Sequence, residues 1–208
     1  MIRSLLFVFT LISGAAFCQD KEGFVAVKNE PPIIVSERWV EFPNKKPTVI
    51  SRELKSEFVV NASIYKVINL IWDESKVNDW QQRVNNYKIY RKADTTTWDE
   101  YSLRDIPWPL DDQDSYMEYK LSEVTPGKEY IVTFKSKVDD NIAPQKNGIH
   151  RIELIGSWKF VQIAPNVVRV VYRIQSAPAT NAPRMIVDSV VRNNLLESIK
   201  SLTAIAEK

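Results

Sequence analysis

One cysteine and one histidine are all that the 208 residues contain. A zinc site takes several cysteine or histidine ligands, and a disulfide takes a pair of cysteines. A catalytic triad or facial metal site would have to draw its imidazole from His150 alone. Most hydrolytic and redox chemistry is closed off, and neither a cofactor nor a metal is expected. Charge of one sign is missing too: 28 Lys and Arg stand against 26 Asp and Glu, net +2, so no overall field gathers phosphate backbones and nucleic acid is not an expected partner. Beyond residue 20 no run is long and apolar enough to span a bilayer. What is there is 44% hydrophobic and well mixed, which excludes a disordered or collagen-like chain and suits one domain with a real core.

Arg3 precedes an apolar run from Leu5 to Ile12, and the small residues Ser13, Gly14, Ala15 and Ala16 follow before Phe17, Cys18 and Gln19. A charged start, a brief apolar stretch and a small-residue exit form the pattern of a secretory signal, read as residues 1–18 and cleaved after Cys18. The expected product is an exported domain, residues 19–208, periplasmic or secreted and free of cysteine. In the alternative, Cys18 is the lipidated first residue of a lipoprotein; the bulky Phe17 before it argues against that.

Residues 19–46 are expected to be irregular, because Pro31, Pro32 and Pro43, with Pro47 just beyond, interrupt any period. Residues 49–60 read as a strand. Asn61 then offers an N-cap for a helix carrying Ile64, Val67, Ile68 and Ile71 on one face, and a second short helix is expected over about 73–83, with Trp80 on it. Strand signals follow at 84–91, 97–106, 115–124, 129–138, 151–163 and 167–175. In the fourth of these Tyr130, Val132 and Phe134 alternate against Thr133, Lys135 and Lys137, which gives one dry and one wet face. The period then changes: Ile186, Val187, Val190, Val191, Leu195, Ile199, Leu202 and Ile205 recur at helical spacing over some twenty residues.

This is an α+β plan, with a short helical pair after the first strand and a long C-terminal helix as the one element able to cover the dry face of a curved antiparallel sheet. A curved sheet and one helix cannot fill the volume between them, and the dry face is rich in large aromatics, so a cavity is expected there.

Three groups of residues resemble a known family, the START lipid-transfer domains of the helix-grip superfamily. The stretch 73–84, with Trp80, resembles the family's Trp-bearing helix. Pro107, Trp108, Pro109 and Leu110, followed by Asp111, Asp112, Gln113 and Asp114, resemble its Pro-Trp-Pro-Leu loop. Arg151 with Trp158 is similar to its Arg and Trp on a late strand. The resemblance runs over about residues 35–206 and implies a helix-grip fold around a ligand cavity for a sterol, phospholipid, sphingolipid or other apolar molecule. Gln113 stands where the family usually has Arg, and Ser176, Ala177, Pro178 and Ala179 replace its usual turn.

Tyr101, Met117, Tyr119, Phe134, Trp158 and Tyr172, read as inward, are the expected ligand contacts, together with Trp80; the same residues would also serve a closed core. Trp108, held between two prolines, sits either at the cavity mouth against ligand or membrane, or pins its loop to the sheet. Arg151 falls on the face opposite Ile152 and Trp158 by alternation, and a buried position would require a carboxylate or headgroup partner. The expected function is non-catalytic binding of one apolar molecule, lipid or sterol-like, for transfer or for sensing, by a monomer that touches membranes transiently.

Two other readings stay open. A helix-grip enzyme acting on an apolar substrate needs a buried carboxylate with a shifted pKa, for which Glu153, Glu118 and Asp114 are the candidates. An interaction domain filled by its own side chains would leave a pocket below ~300 Å³.

Overall fold

The computed structural model describes residues 20–108, 110–177 and 184–208, with side chains from Val187 in the last segment. The expected signal segment, Cys18, Pro109, Pro178 and Pro183 lie outside the described residues. Ten strands form one sheet: β1 (Val25–Glu30), β2 (Ile33–Glu41), β3 (Ile50–Val60), β4 (Val84–Arg91), β5 (Thr97–Arg104), β6 (Asp112–Thr125), β7 (Glu129–Ser136), β8 (Ile149–Arg151), β9 (Leu154–Ala164) and β10 (Val167–Ser176). Their spatial order is β1-β2-β3-β10-β9-β7-β6-β5-β4, antiparallel throughout, and β8 lies parallel to the start of β6. Between β3 and β4 come two helices, α1 (Ile64–Trp72) and α2 (Val77–Trp80); α3 (Arg184–Ala206) closes the chain.

The expectation of an irregular N-terminal segment is corrected: β1 and β2 form a hairpin. Pro31 and Pro32 occupy the turn between them, where a missing N–H leaves no ladder bond unmade, and the strands flank the pair instead of being broken by it. The helical pair therefore follows the third strand, not the first. The cap of α1 is also corrected. Ser63 Oγ accepts from the Lys66 N–H at 3.3 Å, while Asn61 donates from its backbone and its side-chain amide to Glu207 Oε1 at 2.8 and 2.9 Å, tying the end of β3 to the end of α3. The second helix is a single turn, and Trp80 Nε1 donates to the Leu70 carbonyl at 3.1 Å, pinning it to α1. The expected strand over 151–163 is broken in two, because the Ile152 N–H turns to the Asp114 carbonyl at 2.9 Å before β9 begins.

The long amphipathic helix stands as expected. Leu196, Ile199, Leu202 and Ala206 of α3 are buried against α1, α2 and the concave face of β1 to β3. The main core lies between this helix and that face of the sheet. A second, smaller cluster of Tyr101, Tyr116 and Ala143 lies on the opposite face.

Candidate functional site

The cavity between the concave face and α3 measures about 220 Å³. Its sheet wall is built from strands in register: Trp98 faces Tyr119, Tyr119 faces Phe134, Phe134 faces Gly156, and Tyr172 faces Trp158. Successive rings lie close together, with centroids 5.1 Å apart for Trp98 and Tyr119, 5.2 Å for Tyr119 and Phe134, 6.1 Å for Phe134 and Tyr172, and 4.0 Å for Tyr172 and Trp158. Gly156 makes the row possible. A Cβ built there would lie 2.2 Å from the Arg173 carbonyl oxygen and 2.4 Å from the Phe134 ring, so any larger residue would push the ring out of the row. The opposite wall comes from α3 and is largely aliphatic, with Val187, Val190, Val191, Leu195 and Ile199, alongside Asn194 and Ser198.

Six of the nine residues expected at the site line this cavity: Trp80, Met117, Tyr119, Phe134, Trp158 and Tyr172. Three do not. Tyr101 points to the other face, because Trp98 and Glu100 set the inward phase of β5, and its hydroxyl donates to Asp114 Oδ2 at 3.2 Å. Arg151 keeps the outward phase that alternation gave it, and its guanidinium is spent on Asp114 at 2.6 and 2.8 Å and on the Ala143 carbonyl at 3.0 Å. The carboxylate partner that a buried Arg151 required is therefore Asp114, 1% exposed, and no ligand headgroup is needed. Trp108 is 92% exposed on the β5–β6 loop, clear of the cavity wall and not packed on the sheet. Its neighbours Ile106 and Leu110 do reach the wall.

None of the three expected carboxylates faces the cavity. Asp114 holds Arg151, Glu118 holds Lys92 at 2.7 Å on the outer face, and Glu153 pairs with Lys45 at the surface. The carboxylate at the wall is Glu100, 1% exposed, beside Arg104 on the same face of β5. Burial pushes the Glu100 carboxyl above its ordinary value, opposed by hydrogen bonding from Tyr87, the positive charge of Arg104 and the nearby Tyr119 hydroxyl. The Tyr87 hydroxyl donates to Oε2 at 2.8 Å, while Oε1, equally buried, has no hydrogen-bond partner of acceptable geometry. Arg104 is held at a distance by Ser102 Oγ at 2.9 Å and Gln81 Oε1 at 2.8 Å. Burial and the Glu100 charge in turn hold the Tyr119 hydroxyl well above its ordinary value, so it stays protonated. The wall is thus mostly greasy, with polar side chains such as Arg52, Gln113, Asn194 and Ser198 at its borders and, beside Arg104, a buried acceptor lacking a donor.

The first half of α3 is fastened by charge. Arg52 from β3 pairs with Asp188, and Arg192 pairs with Glu37 from β2 at 2.9 Å and with Asp188 at 3.4 Å. These groups bind the aliphatic wall to the sheet directly beside the cavity.

No family model matches the chain. An uncharacterised protein of Pseudomonas aeruginosa is 26% identical over 130 residues, a match spanning 62% of this chain and 62% of that protein, less than two thirds of the relative's length. Among solved structures, a STAR-related lipid transfer protein of Xanthomonas axonopodis superposes with a TM-score of 0.73 at 21% identity, covering 89% of this chain and 99% of that one. Human StAR-related lipid transfer protein 5 gives a TM-score of 0.75 at 14% identity, over 90% and 88% of the two chains. The Zhui aromatase/cyclase of a Streptomyces species gives 0.55 at 12% identity, over 76% and 94%. At these identities the likeness is one of architecture: the chain has the helix-grip fold of the START domains.

Proposed function

We propose that the chain binds one apolar molecule in this cavity, unchanged, and carries it through water. The observation that supports this most directly is the buried Glu100 Oε1 left without a partner in a mostly apolar wall. A core that filled itself would have strong reason to satisfy that oxygen, since an orphaned buried acceptor costs on the order of 1–3 kcal/mol. At about 220 Å³ the cavity falls below the ~300 Å³ set for a drug-sized ligand, the size expected of a self-filled interaction domain. The orphaned oxygen weighs on the other side, since a bound hydrogen-bond donor would satisfy it. Enclosure spares an apolar cargo the aqueous cost of ~0.8 kcal/mol per CH₂. The fold shared with proteins named for lipid transfer agrees with this use. Export, as residues 1–18 suggest, places the carrier outside the cytoplasm; N-terminal sequencing of the mature protein tests that.

The test is extraction of the purified protein with organic solvent, followed by mass spectrometry. An apolar compound is expected at near-stoichiometric amount. A clean extract, with no thermal shift on adding a panel of apolar compounds, overturns the proposal.

One observation favours a second reading, that of an enzyme: Glu100 is a buried carboxylate whose pKa is raised. Such a group is suited to general acid work on a bound apolar substrate. Carriage predicts that the extracted compound survives incubation with fresh protein; catalysis predicts its conversion, abolished by Glu100→Gln.

A further inference from the structure

Three features of the cavity narrow what it takes. First, size: at about 220 Å³ the cavity is smaller than the ~300–1,000 Å³ of pockets that take drug-sized ligands, which disfavours a two-chain lipid. Second, stiffness. The sheet wall is a row of contacting rings with no slack, since even a methyl group at Gly156 would collide with Phe134 and with a backbone oxygen. Such a wall does not remodel around a flexible chain. A chain that enters it loses freedom at every rotatable bond, whereas a rigid ring system loses none. Ring against ring also adds edge-to-face and offset attraction that a saturated chain cannot return. Third, the polar corner. Glu100 Oε1 requires a donor, and Arg104 on the same face already supplies the compensating positive charge, so the donor that fits is a neutral hydroxyl.

Resting on the proposed binding role, we infer that the natural occupant is a compact, flat, ring-based molecule of one fused system, bearing a hydroxyl that donates to Glu100, and not an acyl-chain lipid. The rings of Tyr119, Phe134, Trp158 and Tyr172 form its bed, and the aliphatic face of α3 its cover.

Calorimetric titration of the full chain with three probes tests this. 2-Naphthol is flat and carries a hydroxyl; 1-decanol has the same number of non-hydrogen atoms and the same hydroxyl on a flexible chain; 2-methoxynaphthalene keeps the rings and masks the donor. The expected order has 2-naphthol at least tenfold tighter than either of the others. Phe134→Leu is expected to remove the advantage over 1-decanol, and Glu100→Met the advantage over 2-methoxynaphthalene. Circular dichroism reports whether each variant is folded; should a variant not fold, the ranking on the unaltered chain decides alone. If 1-decanol matches or exceeds 2-naphthol, the cavity is a chain site and the inference fails while the binding role stands. Equal binding of 2-naphthol and 2-methoxynaphthalene refutes the role given to Glu100. If no probe binds, and the solvent extract is also empty, the binding role itself falls.

Discussion

At Glu100 a single carboxylate sits between a solvating corner and an apolar wall, and its energetics can be read from pH. Burial raises its folded pKa above the ordinary glutamate value. A raised carboxyl contributes stability below the unfolded pKa, and that contribution is lost as pH rises through the folded value, because the unfolded chain gives up the proton first. Glu100→Gln keeps the shape and removes the titration. Its stability relative to the unaltered chain is therefore expected to improve between pH 4 and pH 8, as followed by urea denaturation at each pH; a difference independent of pH would refute the raised carboxyl. Gly156→Ala tests the other special position. A Cβ 2.2 Å from a carbonyl oxygen and 2.4 Å from Phe134 forces backbone and ring apart, with an expected loss of about 1–3 kcal/mol in urea midpoints. The sequence disclosed five of the cavity residues through alternation in β6, β7, β9 and β10, and Trp80 through its short helix, but it hid Glu100. In β5 both faces are covered, one by the cavity core and the other by the Tyr101, Tyr116 and Ala143 cluster, so Trp98 and Tyr101 are equally dry and alternation offers no phase. The orphaned oxygen is a property of packing and has no signature in the order of residues.

Among the elements, α3 is held in two different ways along its length. Leu196, Ile199, Leu202 and Ala206 anchor its second half by burial. Its first half depends on Asp188 and Arg192, which join it to Arg52 and Glu37 across the sheet. Arg52 is 8% exposed in its side chain, so removing the charge of Asp188 leaves a poorly solvated cation beside the cavity. Asp188→Asn is expected to destabilise the protein by about 3 kcal/mol, the lower end for a broken buried pair, since Glu37 still faces Arg52 at 3.9 Å. The loss should also be local: amide hydrogen exchange is expected to accelerate over 187–195 far more than over 196–206, and uniform acceleration would deny that the ion pairs fasten one half in particular. The helix itself was legible because its apolar spacing persists for five turns. The β1–β2 hairpin was not, because Pro31 and Pro32 look like interruption when they are in fact the turn. The run at 151–163 concealed a break that only the pairing of β8 with β6 imposes.

Over the whole molecule the two faces of the sheet obey opposite pH rules. The order of strands, a helical pair and a final helix was enough to read the helix-grip plan, since only one element could cover the dry face; the cavity's volume was not readable, because it depends on how far the rings of five strands interlock. The depressed carboxyls lie away from the cavity, on the outer face and at the sheet edge. On the outer face hydrogen bonding from Lys55 draws Asp20 down to about 2, Arg173 lowers Glu22 and Lys92 lowers Glu118, and at the β4 edge the Ile89 backbone N–H lowers Glu74. Burial alone would raise Asp99, but Lys137, Lys92 and Tyr116 outweigh it and leave it lowered. Depressed carboxyls contribute stability above their unfolded values, and it is lost as pH falls through the folded ones. The urea midpoint is therefore expected to drop between pH 5 and pH 2. At 1 M salt the drop should shrink, because screening weakens these mostly exposed pairs before acid reaches them. Glu100→Gln should leave the lower part of this limb, below about pH 3, unchanged, since Glu100 is protonated there in both folded and unfolded chains, and flatten only the decline at higher pH. Were the substitution to alter that lower part instead, the assignment of the two limbs to the two faces of the sheet would be wrong.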